Sequence, residues 1–179
     1  MPEPFTVLVA EDDSNDALLL KLALAKAGVN APMHFVRDGI EAMDYLRGVP
    51  PFDNRDKHPL PNLLVLDLKM PQVGGLEVLA WLRKQPASDE VTVVVLSGSC
   101  WQADIDRAYA LGAKFCVKKS FDFRQVGDVV NRMEKQWSIP LIPVRCFQSG
   151  GVCLERVPDD FAAAHAAGKE RKSNVEEAG

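Results

Sequence analysis

What this chain lacks narrows its function first. It has no excess of positive charge: 21 Lys and Arg stand against 25 Asp and Glu, a formal net charge of −4. Generic nucleic-acid binding rests on neutralising phosphates with clustered cations, so that class is set aside. No apolar run approaches the roughly 18 residues that a membrane span needs. The start, Met1-Pro2-Glu3-Pro4, carries no cationic region of the signal-peptide kind. Neither a Walker A loop nor a GxGxxG fingerprint occurs, so a nucleotide-dependent enzyme finds no support. The four cysteines, Cys100, Cys116, Cys146 and Cys153, form no CxxC pair and no metal-binding spacing. Cys116 lies in an apolar run and reads as a small buried hydrophobe. His34, His58 and His165 are isolated in the sequence and receive no role. On these absences the sequence reads as that of a reduced, cytoplasmic protein.

What is present is organised around Leu63-Leu64-Val65-Leu66-Asp67-Leu68-Lys69-Met70-Pro71. An unbroken apolar run without alternation suits a central strand of a parallel sheet, covered by helices on both faces. Similar short runs lie at Phe5 to Ala10, Pro32 to Val36, Val91 to Leu96 and Lys114 to Val117. Helical spacing separates them. Ser14 is placed to cap the first helix, whose leucines 18, 19, 20, 22 and 24 give a broad apolar face, and Gly28 ends it. Gly39 to Arg47 is the second helix, and Leu76 to Arg83 the third, closed by Pro86. Ser99 with Gln102 has the form of a capping box for the fourth, which Gly112 stops. Asp122 with Gln125 opens the last, running to Trp137. The connection Gly48 to Pro61 is long for a compact domain, and loops of that length tend to be functional or mobile.

Five strands alternating with five helices predict an α/β fold, a doubly wound parallel sheet with helices on both faces. The strand ends then carry the chemistry. Strands one, three, four and five end in Glu11-Asp12, Asp67, Ser97 and Lys118, and in a parallel sheet those ends share one edge. Three carboxylates without a full protein cage suit Mg²⁺, which prefers oxygen ligands and keeps several waters. Singly each residue has a local reading: an acid cluster before a helix is usually a cap or dipole partner, which is the reading preferred for Asp13. Together an acid cluster, a nucleophile, a hydroxyl and an ammonium are the parts of a phosphoryl-transfer site.

At these motifs the chain resembles a two-component response regulator receiver domain over residues 5 to 138. The matching segments are Val-Leu-Val-Ala-Glu-Asp-Asp, Val-Leu-Asp-Leu-Lys-Met-Pro with Gly74-Gly75-Leu76-Glu77, Val-Val-Leu-Ser-Gly-Ser, and Phe-Cys-Val-Lys-Lys. Within the family it is similar to the small single-domain regulators of bacterial phytochromes. The resemblance implies the flavodoxin-like order 2-1-3-4-5 of the chemotaxis regulators, with a receiver domain over 1–140 and a C-terminal extension over 141–179 that holds no output domain. It implies Asp67 as phospho-acceptor, with Glu11, Asp12, Asp67 and the Lys69 backbone carbonyl holding Mg²⁺. Ser97 is the matched switch hydroxyl, Lys118 the matched lysine and Phe115 the matched aromatic switch. It implies a sensor histidine kinase, such as a bacteriophytochrome, as partner. The face of the fourth helix, fifth strand and fifth helix is then the surface for partners or a homodimer. The family usually has Pro after the matched lysine, where this chain has Lys119.

The function expected is that of a phosphoprotein signalling by protein contact, not of an enzyme. Two other readings compete. A degenerate receiver would act as an interaction module without phosphorylation, against which the complete set of residues weighs. A haloacid dehalogenase-type phosphatase wants a second acid two residues after its Asp, and Lys69 stands there. In the extension, residues 141 to 157 suit a hairpin about Ser149-Gly150-Gly151 or an extended arm, and the end from Gly168 to Gly179 has a disordered composition.

Overall fold

The computed structural model describes residues 5–98, 102–119, 123–135, 144–146 and 152–154. Strands β1 (Val7–Ala10), β2 (Met33–Val36), β3 (Leu63–Asp67), β4 (Thr92–Ser97) and β5 (Phe115–Lys118) form one sheet, ordered β2-β1-β3-β4-β5. Every pairing in it is parallel. Helices α1 (Ser14–Lys26), α2 (Gly39–Arg47), α3 (Gly75–Leu82), α4 (Gln102–Ala110) and α5 (Arg124–Lys135) connect and flank the strands. The fold class and strand order are those expected from the sequence. Beyond them, β6 (Val144–Cys146) and β7 (Val152–Leu154) pair antiparallel, with Cys146 opposite Val152. The capping residues Ser99 and Asp122, and Trp137, lie outside the described residues.

Alternation divides the sheet between two cores. Leu8, Ala10, Leu64, Leu66, Val93, Val95 and Cys116 pack with Tyr45 of α2, Val78 and Leu79 of α3, and Ile105 of α4. The intervening Val7, Val9, Leu63, Val65, Val94, Leu96, Phe115 and Val117 pack with Leu20 and Leu24 of α1 and Val126 and Val130 of α5. Both faces are covered, which is why the strands read as continuous apolar runs rather than alternating ones. Each buried Leu or Val contributes about 1.5–3 kcal/mol relative to exposure.

The helices depart from the sequence expectation in two details. Ser14 does not cap α1; Asp13 does, as its local reading had it, with its Oδ1 accepting the N–H groups of Asn15 at 2.7 Å and Asp16 at 3.2 Å. The expected broad apolar face of α1 narrows to Leu20 and Leu24, while Leu18, Leu19 and Leu22 stay exposed. α5 lies so close that a Cβ at Gly127 would press on Ala27 and the Ala23 carbonyl, so the small residues of α1 do the packing there.

The long loop after α2 is held in place. Arg55 donates from Nη1 to the carbonyls of Tyr45 and His58, and from Nη2 to that of Leu46. At the end of α2 it thereby serves the Leu46 carbonyl and adds a second donor to that of Tyr45, which also accepts the Gly48 N–H. Tyr45, Phe52, His34 and His58 gather beneath it, with the two imidazole centroids 5.7 Å apart. The two histidines are therefore neighbours, although nothing in their sequence positions shows it.

Two consequences are measurable. A Cβ at Gly75 would collide with the Asp67 carbonyl oxygen and crowd Leu68 Cα, so the turn from β3 to α3 needs glycine there. Gly75→Ala should cost about 1–3 kcal/mol in urea unfolding, as overpacking does; a change under about 0.5 kcal/mol would contradict the close approach. Burial pushes the Tyr45 hydroxyl up from 10.0 to about 12, against a smaller opposing pull from Arg55. A folded-state pKa above the unfolded one gives stability that is complete below pH 10 and lost as pH rises toward 12. The loss should reach about 2.7 kcal/mol at 1.36 kcal/mol per unit. Tyr45→Phe should remove that part of the alkaline slope, measured as unfolding free energy against pH relative to wild type.

Candidate functional site

The carboxyl ends of β1 and β3 bring the acids together. Ligand oxygens of Glu11, Asp12 and Asp67 all lie within 4.8 Å of one another. Glu11 and Asp67 are buried, each at 3% exposure, and Asp12 is exposed. The backbone orders both buried acids: Asp67 Oδ1 accepts the Lys69 N–H at 3.1 Å, and Glu11 Oε1 accepts the Asp13 N–H at 3.2 Å.

The ammonium facing them comes from Lys119. Its Nζ lies 2.8 Å from Asp67 Oδ2, 2.9 Å from Glu11 Oε1 and 2.8 Å from Glu11 Oε2. It also reaches Asp16 Oδ2, in the first turn of α1, at 3.0 Å. Lys118, the lysine chosen from the sequence, is exposed at the strand end. This is a correction, and strand parity explains it. Side chains alternate across a strand, and Asp67 shares the face of Leu63 and Val65, as Glu11 shares that of Val7 and Val9. On β5 that face belongs to Phe115 and Val117, hence next to residue 119. The Lys119 N–H continues the ladder by donating to the Ser97 carbonyl at 2.8 Å. Among the described residues the only cis peptide is Pro50–Pro51, so the Lys118–Lys119 bond is trans. The position after the facing lysine is Ser120, outside the described residues.

Phe115 needs a second correction. It packs on the α1 and α5 side with Phe123 and Val126, whereas the face that Ser97 shares with Val93 and Val95 is the one covered by α2, α3 and α4. An aromatic switch beside Ser97 cannot be Phe115. On the α4 side the strand presents Cys116, whose N–H donates to the Tyr109 hydroxyl at 3.3 Å. Ser97 itself is buried at the end of β4, opposite Lys118 in register.

The electrostatics follow from burial. Glu11 is held above the ordinary carboxylate range by burial first and by the nearby Asp67 charge, with Lys119 acting in the opposite direction. Burial alone would lower the Lys119 pKa, but hydrogen bonds to Asp67, Glu11 and Asp16 outweigh it and raise the value. Asp13 is held low by the N–H groups of Asn15 and Asp16, as a cap should be. Lys119 contacts Glu11 Oε2 by charge alone, so that buried oxygen has no hydrogen bond. A buried acceptor with unused capacity, beside two more carboxylates, fits a hard divalent cation. Glu11, Asp12 and Asp67 are the residues that would hold it.

A five-stranded parallel α/β sheet with an acid cluster at the carboxyl ends of β1 and β3 defines the class of protein. Residues 7–131 match the response regulator receiver domain, and the chain belongs to that family, the receivers of two-component systems. Response regulator Rcp1 of Synechocystis is 31% identical over 134 residues, 75% of this chain and 89% of that protein. The phosphorylated cyanobacterial phytochrome response regulator RcpA superposes with a TM-score of 0.67 at 32% identity, covering 75% of this chain and 96% of its own. The bacteriophytochrome response regulator RtBRR superposes at 0.63 with 27% identity, covering 97% of this chain and 96% of its own.

The corrected lysine gives a direct test. Lys119→Met removes the cation from two buried carboxylates and should cost about 3 kcal/mol in metal-free buffer, the lower end for breaking a buried pair because the site opens to solvent on one side. Lys118→Met, at an exposed position, should stay within about 0.5 kcal/mol of wild type. Equal effects in denaturant unfolding would contradict the assignment.

Proposed function

We infer that this chain is a phospho-acceptor: Asp67 takes a phosphoryl group from the phosphohistidine of a sensor kinase, and the chain signals by contacts that depend on it. The observation that carries this reading is the approach of Lys119 to the Asp67 carboxylate within a cluster of three acids. An Asp67 oxygen attacks phosphorus, the P–N bond breaks, and the imidazole nitrogen keeps the electron pair. When bound, Mg²⁺ neutralises the oxygens of the transferred group. Glu11, Asp12, Asp67 and the Lys69 carbonyl are its proposed protein ligands, and the backbone N–H of Lys69 already orients the acceptor. Lys119 supplies the second cation, and Ser97 the hydroxyl that turns toward the new oxygens.

The energy available suits a switch. Moving a two-state equilibrium from 1:99 to 99:1 takes about 5.5 kcal/mol. Two hydrogen bonds to a charged group, from Ser97 and Lys119, supply about 1.5–3 kcal/mol each. The surface they would alter is the face of α4, β5 and α5, the proposed site for a partner or a second copy. Two related structures support the input: RcpA is a cyanobacterial phytochrome response regulator solved phosphorylated, and Rcp1 was solved with Mn²⁺. A bacteriophytochrome-type kinase is accordingly the proposed donor.

Incubation with acetyl phosphate and Mg²⁺, followed by intact mass, separates this reading from a receiver that works unphosphorylated. The wild type should gain one phosphoryl group, lost on chelation of the metal, and Asp67→Asn should gain none. A wild type that stays unmodified, or an Asp67→Asn variant modified equally, would overturn the reading.

A further inference from the structure

Asp67 is covered in this structure. Its side chain keeps 4% exposure, Oδ1 accepts from the Lys69 backbone and Oδ2 lies under the Lys119 ammonium. An ammonium has three donors, and each of the three carboxylates around Lys119, those of Glu11, Asp67 and Asp16, lies within 3.0 Å of it. A divalent ion on Glu11 and a phosphoryl group on Asp67 would claim the oxygens that hold Lys119 now. Asp16 is the member left over. It belongs to no metal-ligating cluster of the described residues, projects from α1 rather than from a strand end, and its side chain is 36% exposed where that of Glu11 is 1%. It stands where an ammonium moving out from over Asp67 still finds a negative partner. The Asp13 cap anchors the Asp16 backbone through its N–H, so this partner has a set position.

We propose that Asp16 is a positioning residue: it retains the Lys119 ammonium at the mouth of the site when Glu11 and Asp67 turn to other partners, uncovering the acceptor while keeping the lysine within reach of the phosphoryl oxygens. The proposal rests on the phospho-acceptor reading for its purpose, but the movement itself is measurable without phosphorylation. Asp16 acts through Lys119 and touches no reacting atom. A charge role and a positioning role also predict opposite signs. Removing a negative charge beside the site should help an anionic phosphoryl donor approach, whereas losing the anchor of Lys119 should slow transfer.

The test uses the full chain and Asp16→Asn in two assays. In the first, lysines are acetylated with an N-hydroxysuccinimide ester with and without Mg²⁺, and labelling is read by peptide mass spectrometry with exposed Lys118 as internal reference. Lys119 of the wild type should stay protected when Mg²⁺ is added, while in Asp16→Asn its labelling should rise about three- to fivefold, the scale of one partly exposed ion pair. In the second, acetyl phosphate should modify Asp16→Asn about three- to fivefold more slowly than wild type, and the same substitution in a Lys119→Gln background should cause no slowing. Unchanged Lys119 protection in Asp16→Asn, faster phosphorylation, or equal slowing in both backgrounds overturns the proposal. Should Lys119→Gln fail to fold, the labelling assay and the sign of the rate change still decide. A wild type that acetyl phosphate never modifies defeats the phospho-acceptor reading alone, since the labelling arms report on Asp16 without it.

Discussion

The site depends on one ammonium among carboxylates. Glu11 and Asp67 are buried beside each other, an arrangement that repels itself unless a cation lies between or against them. Lys119 provides that cation from the far side of the sheet, linking β5 to β1, β3 and the start of α1. Its charge is firmly held, since the three carboxylates outweigh the burial that would otherwise lower its pKa. The same contact that makes the acid cluster tolerable also covers an oxygen of Asp67, the proposed acceptor. On the proposed function, stability without metal and readiness for phosphoryl transfer therefore pull on one side chain in opposite directions.

The scaffold exists to set those distances. β1 and β3 are adjacent central strands, so Glu11 and Asp67 leave the sheet side by side and on the same face. Gly75 lets α3 begin directly against the Asp67 carbonyl, and Asp13 starts α1 with Asp16 turned toward the site. β5 lies at the edge, yet its register with β4 carries Lys119 past Ser97 and over the acids. A shift of one residue in that register would aim Lys118 there instead and reverse every side chain of the strand.

That single-residue sensitivity also explains what was legible in the sequence. The fold was, because strands covered on both faces leave continuous apolar runs that helical spacing separates. Glu11, Asp12 and Asp67 were, because each ends such a run. The lysine was misassigned by one position, since Lys118 and Lys119 are adjacent and composition does not distinguish them. Strand parity does: counting every second residue from Phe115 and Val117 leads to Lys119, just as counting from Leu63 and Val65 leads to Asp67. The same count would have removed Phe115 from the switch position. Other features were out of reach locally. The exposed leucines of α1 look no different from its buried ones, and only packing against α5 tells them apart. The Arg55 clasp and the meeting of His34 with His58 join segments that no short-range pattern relates.

The central claim is that Lys119 serves Asp67 both before and after phosphorylation. A crystal structure of the full chain with Mg²⁺ and beryllofluoride, a phosphoryl mimic, tests it most directly. The account predicts the mimic on an Asp67 oxygen, the cation against Glu11 and Asp12, and the Lys119 ammonium hydrogen-bonded to a fluorine. A structure in which Lys118 makes that contact, or in which Lys119 has swung away from Asp67 altogether, would contradict it.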